Sequence, residues 1–197
     1  MPGIIRRMPD DHVYLTFDDG PSAPATPELL QFLRRFEIKA TFFVRGQQAE
    51  KHPEIVARAY EQGHTIGNHS YSHPHMVCKR GSFLYQEVMR TDNIIETITG
   101  SRPTLFRPPF GRFAFGLIMT LRRTGHEIVL WSASGADYKS GANPASIHER
   151  LIHKHRPGEI ILLHDSHECG PKTLKALDRL VREFVKKGVT FAPLPVQ

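Results

Sequence analysis

Two adjacent acidic residues, Asp18 and Asp19, stand directly before a turn. Residues 12–17 have the β-branched and aromatic composition of a strand, and Gly20-Pro21 cannot continue it. Neighbouring side chains at a strand end point in different directions, so one carboxylate could bind a metal ion while the other acts as a base. The alternative is a solvated Asp-Asp-Gly turn, because Asp and Gly favour turns for backbone reasons.

Two histidines, His69 and His73, are four residues apart, which places their rings on one face if the backbone is helical there. Two neutral imidazoles and one carboxylate form a common site for a catalytic divalent ion. A solvent-exposed histidine-rich loop is the alternative, since the chain has 12 histidines. His75 follows Pro74, which separates it from the helical register, so we expect it near the ligands or at the surface.

Two further charged residues follow apolar segments. Arg107 precedes two prolines that fix its backbone, and an arginine beside a carboxylate orients that group and lowers its pKa. Asp137 precedes Tyr138; the aspartate could polarise a histidine, and the aromatic ring could stack on a sugar. The alternatives are an arginine at a proline-rich turn and an aspartate in a glycine-containing loop.

The apolar run 160–163 is typical of a strand buried on both faces, and it ends at His164. This histidine is either a core residue with a fixed tautomer or an acid/base group. Three other histidines occur among charged residues on a predicted helix and are expected to be solvated: His148, His153 and His155.

The elements that must position these residues alternate along the chain. Seven segments are predicted as strands: 12–17, 40–44, 64–67, 104–106, 126–131, 159–163 and 189–192. Four segments have helical spacing: 24–36, 53–62, 82–99 and 171–187. This alternation predicts an α/β fold with a parallel sheet, whose ligand site forms at the carboxyl ends of the strands. We therefore expect one rim to carry the following residues: Asp18, Asp19, His69, His73, Arg107, Asp137, His164 and Asp165.

The composition predicts one globular domain, with 40% apolar and 23% charged residues in 197. The net charge of +6 is spread over scattered basic pairs, which favours a solvated surface over a nucleic-acid partner. No apolar run is long enough to span a bilayer, so no integral membrane segment is predicted. The cysteines, Cys78 and Cys169, are either free thiols or one bridge.

Five segments, in order, resemble the five motifs of the polysaccharide deacetylases, carbohydrate esterase family four, which share the chitooligosaccharide-deacetylase homology domain. They are Thr16–Gly20, His69–His73, Arg107–Gly111, Asp137–Tyr138 and Leu162–Asp165. The similarity spans about residues 11 to 195. It implies a catalytic domain at 11–197 after an N-terminal extension at 1–10.

The resemblance implies an irregular (β/α) barrel of about seven parallel strands, similar to a TIM barrel. The implied reaction is metal-dependent removal of acetyl from N-acetylated, less often O-acetylated, sugars such as chitin-type or peptidoglycan glycans. The implied ligands of Zn²⁺, or of Co²⁺ or another divalent ion, are Asp19, His69 and His73. The other implied roles are Asp18 as base, His164 as acid, Arg107 orienting Asp18, Asp137 tuning His164, the Phe110 N–H at the oxyanion, and Tyr138 and Leu162 as pocket walls.

The chain departs from the family pattern in its fourth motif, where Ser134 replaces an aspartate and Tyr138 replaces a tryptophan. Phe110 stands where the family often has tyrosine. Two other functions stay open: hydrolysis of a non-sugar amide, and carbohydrate binding without catalysis. The resemblance leaves the oligomeric state open. It places the protein outside the cell or at the envelope if an export signal has been removed, and in the cytoplasm if the chain is complete.

Overall fold

The computed structural model describes residues 3–152 and 156–196, so His153 and His155 lie outside the described residues. The strands are β1 (Ile4–Ile5), β2 (Tyr14–Asp18), β3 (Thr41–Val44), β4 (Thr65–Asn68), β5 (Leu105–Phe106), β6 (Glu127–Val129), β7 (Ala133–Ser134) and β8 (Ile160–His164). The helices are α1 (Ala25–Arg35), α2 (Gly46–Lys51), α3 (Pro53–Glu61), α4 (Gly81–Thr99), α5 (Phe115–Thr124), α6 (Pro144–Ile152) and α7 (Gly170–Lys186), with a 3₁₀ turn at Pro109–Gly111.

The strands form one parallel sheet in the order β1-β6-β5-β4-β3-β2-β8-β7. Within the described residues the sheet is open between β1 and β7, so the fold is a curled, incomplete barrel. This confirms the α/β class and the irregular (β/α) barrel. Because every pair is parallel, the carboxyl ends of all the strands lie on one rim.

The core forms where apolar strands meet the buried faces of amphipathic helices. All residues of β2 and β8 are buried, as expected of central strands in a parallel sheet. Helix α7 buries Leu177, Leu180 and Phe184 against this core, while its charged residues face solvent. The sheet is therefore fixed from behind, and the loops at its carboxyl rim carry the polar side chains.

Five elements differ from the sequence prediction. Helices α2 and α5 were not predicted. The two-residue strands β1 and β7 were not predicted either, and β1 lies within the segment expected to precede the domain. Residues 189–192 were predicted as a strand, but only Phe191 forms a bridge, with Val13. Pro193 lacks an N–H and so cannot extend that pairing.

The structure also gives the environments of His148 and of the two cysteines. His148 was expected to be solvated, but it is buried between α6 and α7, with its Nε2 3.0 Å from Oε1 of Glu183. Both cysteines are free, and Cys169 is buried while Cys78 is exposed. Within the described ranges, no helix combines the length and apolarity needed to cross a bilayer.

Candidate active site

A cavity of about 410 Å³ opens at the carboxyl rim of the sheet. It is lined by Asp18, Asp19, His69, His73, His75, Phe110, Gly111, Arg112, Trp131, Tyr138, Leu162 and His164. Of the ten residues to which the family resemblance gives a role, eight are in this lining. The other two, Arg107 and Asp137, are fully buried and contact lining residues from behind.

Three side chains at one end of the cavity could hold a metal ion. One ligand atom each from Asp19, His69 and His73 lies within 4.8 Å of the others. Oδ1 of Asp19 is 3.3 Å from Nε2 of His73 and 3.9 Å from Nε2 of His69. This oxygen is buried and accepts no hydrogen bond from any residue that the structure describes. A buried carboxylate oxygen without a donor fits a site for a cation.

The protonation of the two histidines also fits a metal site. Nδ1–H of His69 donates to the carbonyl of Arg107 at 2.7 Å, which leaves the lone pair of Nε2 facing the cavity. Burial lowers the pKa of His69 to about 3, and it also lowers the pKa of His73. Both rings are therefore neutral near pH 7. Two imidazole nitrogens and a carboxylate oxygen form a donor set that suits Zn²⁺.

The four-residue spacing of His69 and His73 places their rings on one face only if the backbone is helical, but the loop that carries them is not a helix. Ser70 and His73 both have left-handed backbones, with φ of 65° and 58°. Oγ of Ser70 accepts a hydrogen bond from the His73 N–H at 3.1 Å. This turn brings the two rings to a centroid distance of 5.0 Å.

Asp18 and Asp19 converge on the same histidine, although adjacent strand residues were expected to point in different directions. Asp19 has φ of 77°, which ends the alternation of β2. As a result, Oδ2 of Asp18 and Oδ1 of Asp19 lie 3.8 Å and 3.9 Å from Nε2 of His69.

Asp18 is paired with a buried arginine behind the cavity. Nη1 of Arg107 donates to Oδ1 of Asp18 and to Oγ1 of Thr16, each at 2.7 Å. Burial raises the pKa of Asp18, and the charge of Arg107 opposes this rise. A neighbouring arginine alone predicts a lowered pKa for Asp18, but the cost of removing this carboxylate from water is larger and has the opposite sign.

His164, at the end of the strand next to β2, is paired with Asp137. Nδ1–H of His164 donates to Oδ1 of Asp137, and the His164 backbone N–H donates to Oδ2, both at 2.8 Å. Burial alone would lower the pKa of His164, but the hydrogen bond and charge of Asp137, aided by Asp18 and Asp19, raise it to about 9. The ring therefore carries a proton at neutral pH.

A family model for polysaccharide deacetylases matches residues 5–129. The chain belongs to the polysaccharide deacetylase family. It is 36% identical to a peptidoglycan-N-acetylglucosamine deacetylase of Bacillus cereus over 93% of this chain and 66% of that protein. It is 32% identical to the peptidoglycan-N-acetylmuramic acid deacetylase PdaA of Bacillus subtilis over 91% of this chain and 68% of that protein. The chain thus spans about two thirds of the length of these relatives.

The fold of this polysaccharide deacetylase family member also matches a solved structure. That crystal structure is of a peptidoglycan N-acetylglucosamine deacetylase in complex with 4-naphthalen-1-yl-N-oxidanyl-benzamide. The TM-score is 0.92 at 32% identity, over 98% of this chain and 90% of that chain.

Aromatic side chains form the walls of the site in this deacetylase family member. The Phe110 ring stacks on His75 at 4.2 Å and meets His73 edge to face at 4.6 Å. The ring of Tyr138 lies 5.4 Å from that of His164, and Leu162 lines the floor. His75, which the sequence placed near the ligands or at the surface, is an exposed wall residue.

Ser134, which replaces an aspartate of the fourth motif, makes one hydrogen bond within its own turn. Oγ of Ser134 accepts a hydrogen bond from the N–H of Ala136 at 3.1 Å, in the turn that leads to Asp137. Asp165 follows β8 at the carboxyl rim, as expected, but it does not line the cavity. Its side chain is buried and accepts a hydrogen bond from Thr26 Oγ1 at 2.6 Å. Burial raises the pKa of Asp165 to about 7.

Sequence reasoning missed three residues of the site. Trp131 and Arg112 line the cavity, and Oγ1 of Thr173 donates to Oδ2 of Asp137 at 2.7 Å. Trp131 ends the predicted strand 126–131, and Arg112 directly follows the third motif, so their positions offered a signal. Thr173 lies inside an amphipathic helix, and no local pattern distinguishes it.

Proposed function

We propose that this protein is a divalent-metal-dependent deacetylase that hydrolyses the N-acetyl group of an amino sugar in peptidoglycan. The observation that carries the proposal is the arrangement of three groups around one cavity. A candidate metal site lies between a carboxylate held by arginine and a protonated histidine held by aspartate. The substrate class is supported by the names of two relatives, a peptidoglycan-N-acetylglucosamine deacetylase and a peptidoglycan-N-acetylmuramic acid deacetylase.

Asp19, His69 and His73 would hold the ion, with Zn²⁺ as the ion we propose. When bound, a divalent ion supplies polarisation of the acetyl carbonyl and a more acidic water. The orphaned oxygen of Asp19 and the unprotonated Nε2 of His69 are two of the three donors that this site would use. Activity should disappear on chelation and return with added Zn²⁺ or Co²⁺.

Asp18 acts as the general base in this proposal. Its carboxylate faces the cavity, and burial raises its affinity for a proton. Arg107 fixes one oxygen, so the other is directed towards the reacting water. A base in such a position typically contributes a factor of about 10² to 10⁴ to the rate.

His164 acts as the general acid. An amine leaves a tetrahedral centre poorly unless its nitrogen is protonated, and His164 retains a proton because Asp137 raises its pKa. This requirement is stronger for an amide than for an ester, because an alkoxide leaves more readily than an amide anion. The protonated His164 therefore favours N-deacetylation over O-deacetylation.

The backbone of Phe110 contributes the remaining group. Among the described residues, no carbonyl or side chain accepts a hydrogen bond from its N–H, which leaves this donor free at the cavity. A free N–H beside the reacting carbonyl stabilises the developing oxyanion. Tyr138 and Leu162 would enclose the acetyl methyl group.

The test is acetate release from peptidoglycan fragments and chitooligosaccharides by the Zn²⁺-loaded protein, with Asp18→Asn as the matched variant. We expect release by the wild type and a rate about 10² to 10⁴ lower for Asp18→Asn. Equal rates for the two proteins would remove the proposed base. Binding of glycans without acetate release would identify a non-catalytic relative, and turnover of non-sugar amides alone would identify a different hydrolase.

A further inference from the structure

We propose that Arg112 binds a carboxylate of the glycan, so that the site prefers muramic acid units that carry a free lactyl carboxylate. This inference rests on the proposed deacetylase function and specifies its substrate. Arg112 is the one lysine or arginine among the residues that line the cavity. Its side chain is exposed, and within residues 3–152 and 156–196 no ion pair or hydrogen bond engages its guanidinium.

The backbone of Arg112 is held in place while its side chain is free. Phe110 and Gly111 have left-handed backbones, and the Arg112 N–H donates to Pro109 O at 3.2 Å. A Cβ on Gly111 would lie 2.6 Å from Cη2 of Trp131, so the turn packs directly on the indole ring. The stack of Phe110 on His75 holds its other side.

The chemistry of the two sugars explains why one arginine could distinguish them. N-acetylmuramic acid is N-acetylglucosamine with a lactyl ether on C3, next to the carbon that bears the acetamido group. Its carboxylate therefore stays within a few bonds of the reacting amide. A guanidinium binds a carboxylate through two parallel hydrogen bonds, and uncharged chitooligosaccharides offer no such group.

The experiment compares two glycans of equal length. One is a chitooligosaccharide, and the other is a peptidoglycan strand without stem peptides, which we call the muramic strand. We expect Arg112→Gln to lower kcat/KM for the muramic strand about tenfold more than for the chitooligosaccharide, mainly through KM. Added salt should weaken the wild-type preference. Arg122→Gln, on the exposed face of α5, is the matched control and should retain wild-type kinetics. Equal losses on both glycans, or no loss on either, would overturn the proposal.

A binding measurement separates this proposal from the proposed reaction. Calorimetry of both glycans with Asp18→Asn, and with the double variant carrying Arg112→Gln, does not depend on turnover. Tighter binding of the muramic strand that is lost in the double variant supports the role of Arg112 even if no acetate is released. Equal affinity of Asp18→Asn for the two glycans overturns it.

A second, independent observation concerns the loop between the two histidines. We infer that Glu87, on α4, is a positioning residue for the metal site. Its Oε2 accepts hydrogen bonds from the backbone N–H groups of Tyr71 at 3.0 Å and Ser72 at 2.8 Å. Its Oε1 accepts one from the Ser72 hydroxyl at 2.8 Å. Glu87 is buried, so these bonds are shielded from water.

The loop needs such a partner because it belongs to neither a helix nor a strand. Its N–H groups have no regular acceptors, and its left-handed residues are costly unless surrounding contacts hold them. Asn68 holds the start of the loop, since its Oδ1 accepts from the Ser70 N–H and its Nδ2 donates to Asp92 Oδ1, both at 2.7 Å. Helix α4 thus supports the loop through both Glu87 and Asp92.

Two substitutions separate hydrogen bonding from packing. In Glu87→Gln, the amide oxygen can accept from the two N–H groups, and the amide NH₂ can donate to the Ser72 hydroxyl. In Glu87→Leu, all three partners are left without an acceptor. We expect Zn²⁺ affinity to fall about 10- to 100-fold in Glu87→Leu and less than about threefold in Glu87→Gln. Glu96→Leu, on the exposed side of the same helix, is the control.

The readouts do not require turnover. Competition with a chromophoric chelator gives the Zn²⁺ affinity, and hydrogen exchange of the Tyr71 and Ser72 amides in the metal-free protein reports the loop directly. We expect faster exchange in Glu87→Leu alone. Where Glu87→Leu fails to fold, Glu87→Ala, which leaves room for water, provides the same comparison. Wild-type affinity and protection in the folded variant would overturn the inference.

Discussion

The site contains two charge pairs, Asp18–Arg107 and His164–Asp137. They lie side by side, because Asp18 and His164 are partners in the register of the neighbouring strands β2 and β8. In each pair one member faces the cavity and the other is buried behind it. The pKa of both cavity-facing groups is raised, but for opposite reasons. For Asp18, burial outweighs its partner, whereas for His164 the partner outweighs burial.

The difference lies in how each partner directs its hydrogen bonds. Asp137 directs both oxygens at His164, accepting from its ring and from its backbone N–H, and one of these oxygens also accepts from the Thr173 hydroxyl. Arg107 divides its guanidinium between Asp18, the Thr16 hydroxyl and main-chain carbonyls. We call the His164–Asp137 pair dedicated, because both oxygens of Asp137 bond His164, and the Asp18–Arg107 pair shared. The dedicated partner outweighs burial in setting the pKa of its group, while the shared partner mainly orients its group and leaves the pKa to burial.

The largest expected effect is on the shared pair. Arg107→Met leaves Asp18 buried without its counter-charge, so we expect a loss of about 3 to 5 kcal/mol in the free energy of unfolding, measured by urea denaturation. Arg182→Met, which breaks an exposed pair with Asp178 on α7, should change stability little. Similar small losses in both variants would mean that the buried pair is not held by charge.

A smaller effect is expected on the dedicated pair. Asp137→Asn removes the charge that keeps the proton on His164, so the pKa of His164 in the metal-free protein should fall by about one to three units from about 9. An NMR titration of the imidazole measures this change directly. In the metal-loaded enzyme, the alkaline limb of the pH–rate profile should move to lower pH in parallel.

The same pair predicts how stability depends on pH. The folded pKa of His164, about 9, exceeds the unfolded value near 6.5, so its stabilisation is complete below pH 6.5 and is lost as pH rises through 9. This loss amounts to roughly 3 kcal/mol in the wild type. Asp137→Asn should flatten the dependence between pH 6.5 and 9.5, and parallel curves for the two proteins would contradict the assignment.

The smallest effect is expected at Thr173, whose hydroxyl donates to Asp137 from α7. Thr173→Val keeps the shape but removes the donor, and should cost about 0.5 to 1.5 kcal/mol in the free energy of unfolding. Thr173→Ser retains the hydroxyl and should recover most of this loss. Equal destabilisation by Val and Ser would assign the effect to packing.

Sequence patterns predicted the rim because the carboxyl ends of parallel strands must meet on one side of the sheet. Asp18, His69, Arg107 and His164 could be placed there from strand ends alone. The direction of the Asp18 pKa shift could not, because it depends on how completely distant segments exclude water. The non-helical form of the 69–73 loop was also unpredictable, since its backbone is held by a glutamate on another element.

Very short strands and residues inside helices were also not predictable from the sequence. β1 and β7 each have two residues, too few for any periodic pattern, and they exist because a neighbouring strand offers an edge. Thr173 and Glu87 lie inside helices whose apolar spacing describes packing alone. Their roles arise from tertiary contacts with residues 15 to 36 positions away in the chain.

The left-handed backbone of Asp19 restricts which residues can occupy this position. Most side chains resist positive φ, and aspartate is one of the few besides glycine and asparagine that adopt it readily. Glycine would satisfy the turn but supplies no ligand, and glutamate would supply a ligand but fits the turn poorly. A single aspartate therefore satisfies two independent constraints, one on conformation and one on chemistry. Asparagine at position 19 would keep the shape while losing the charge, which makes it the substitution that can separate the two.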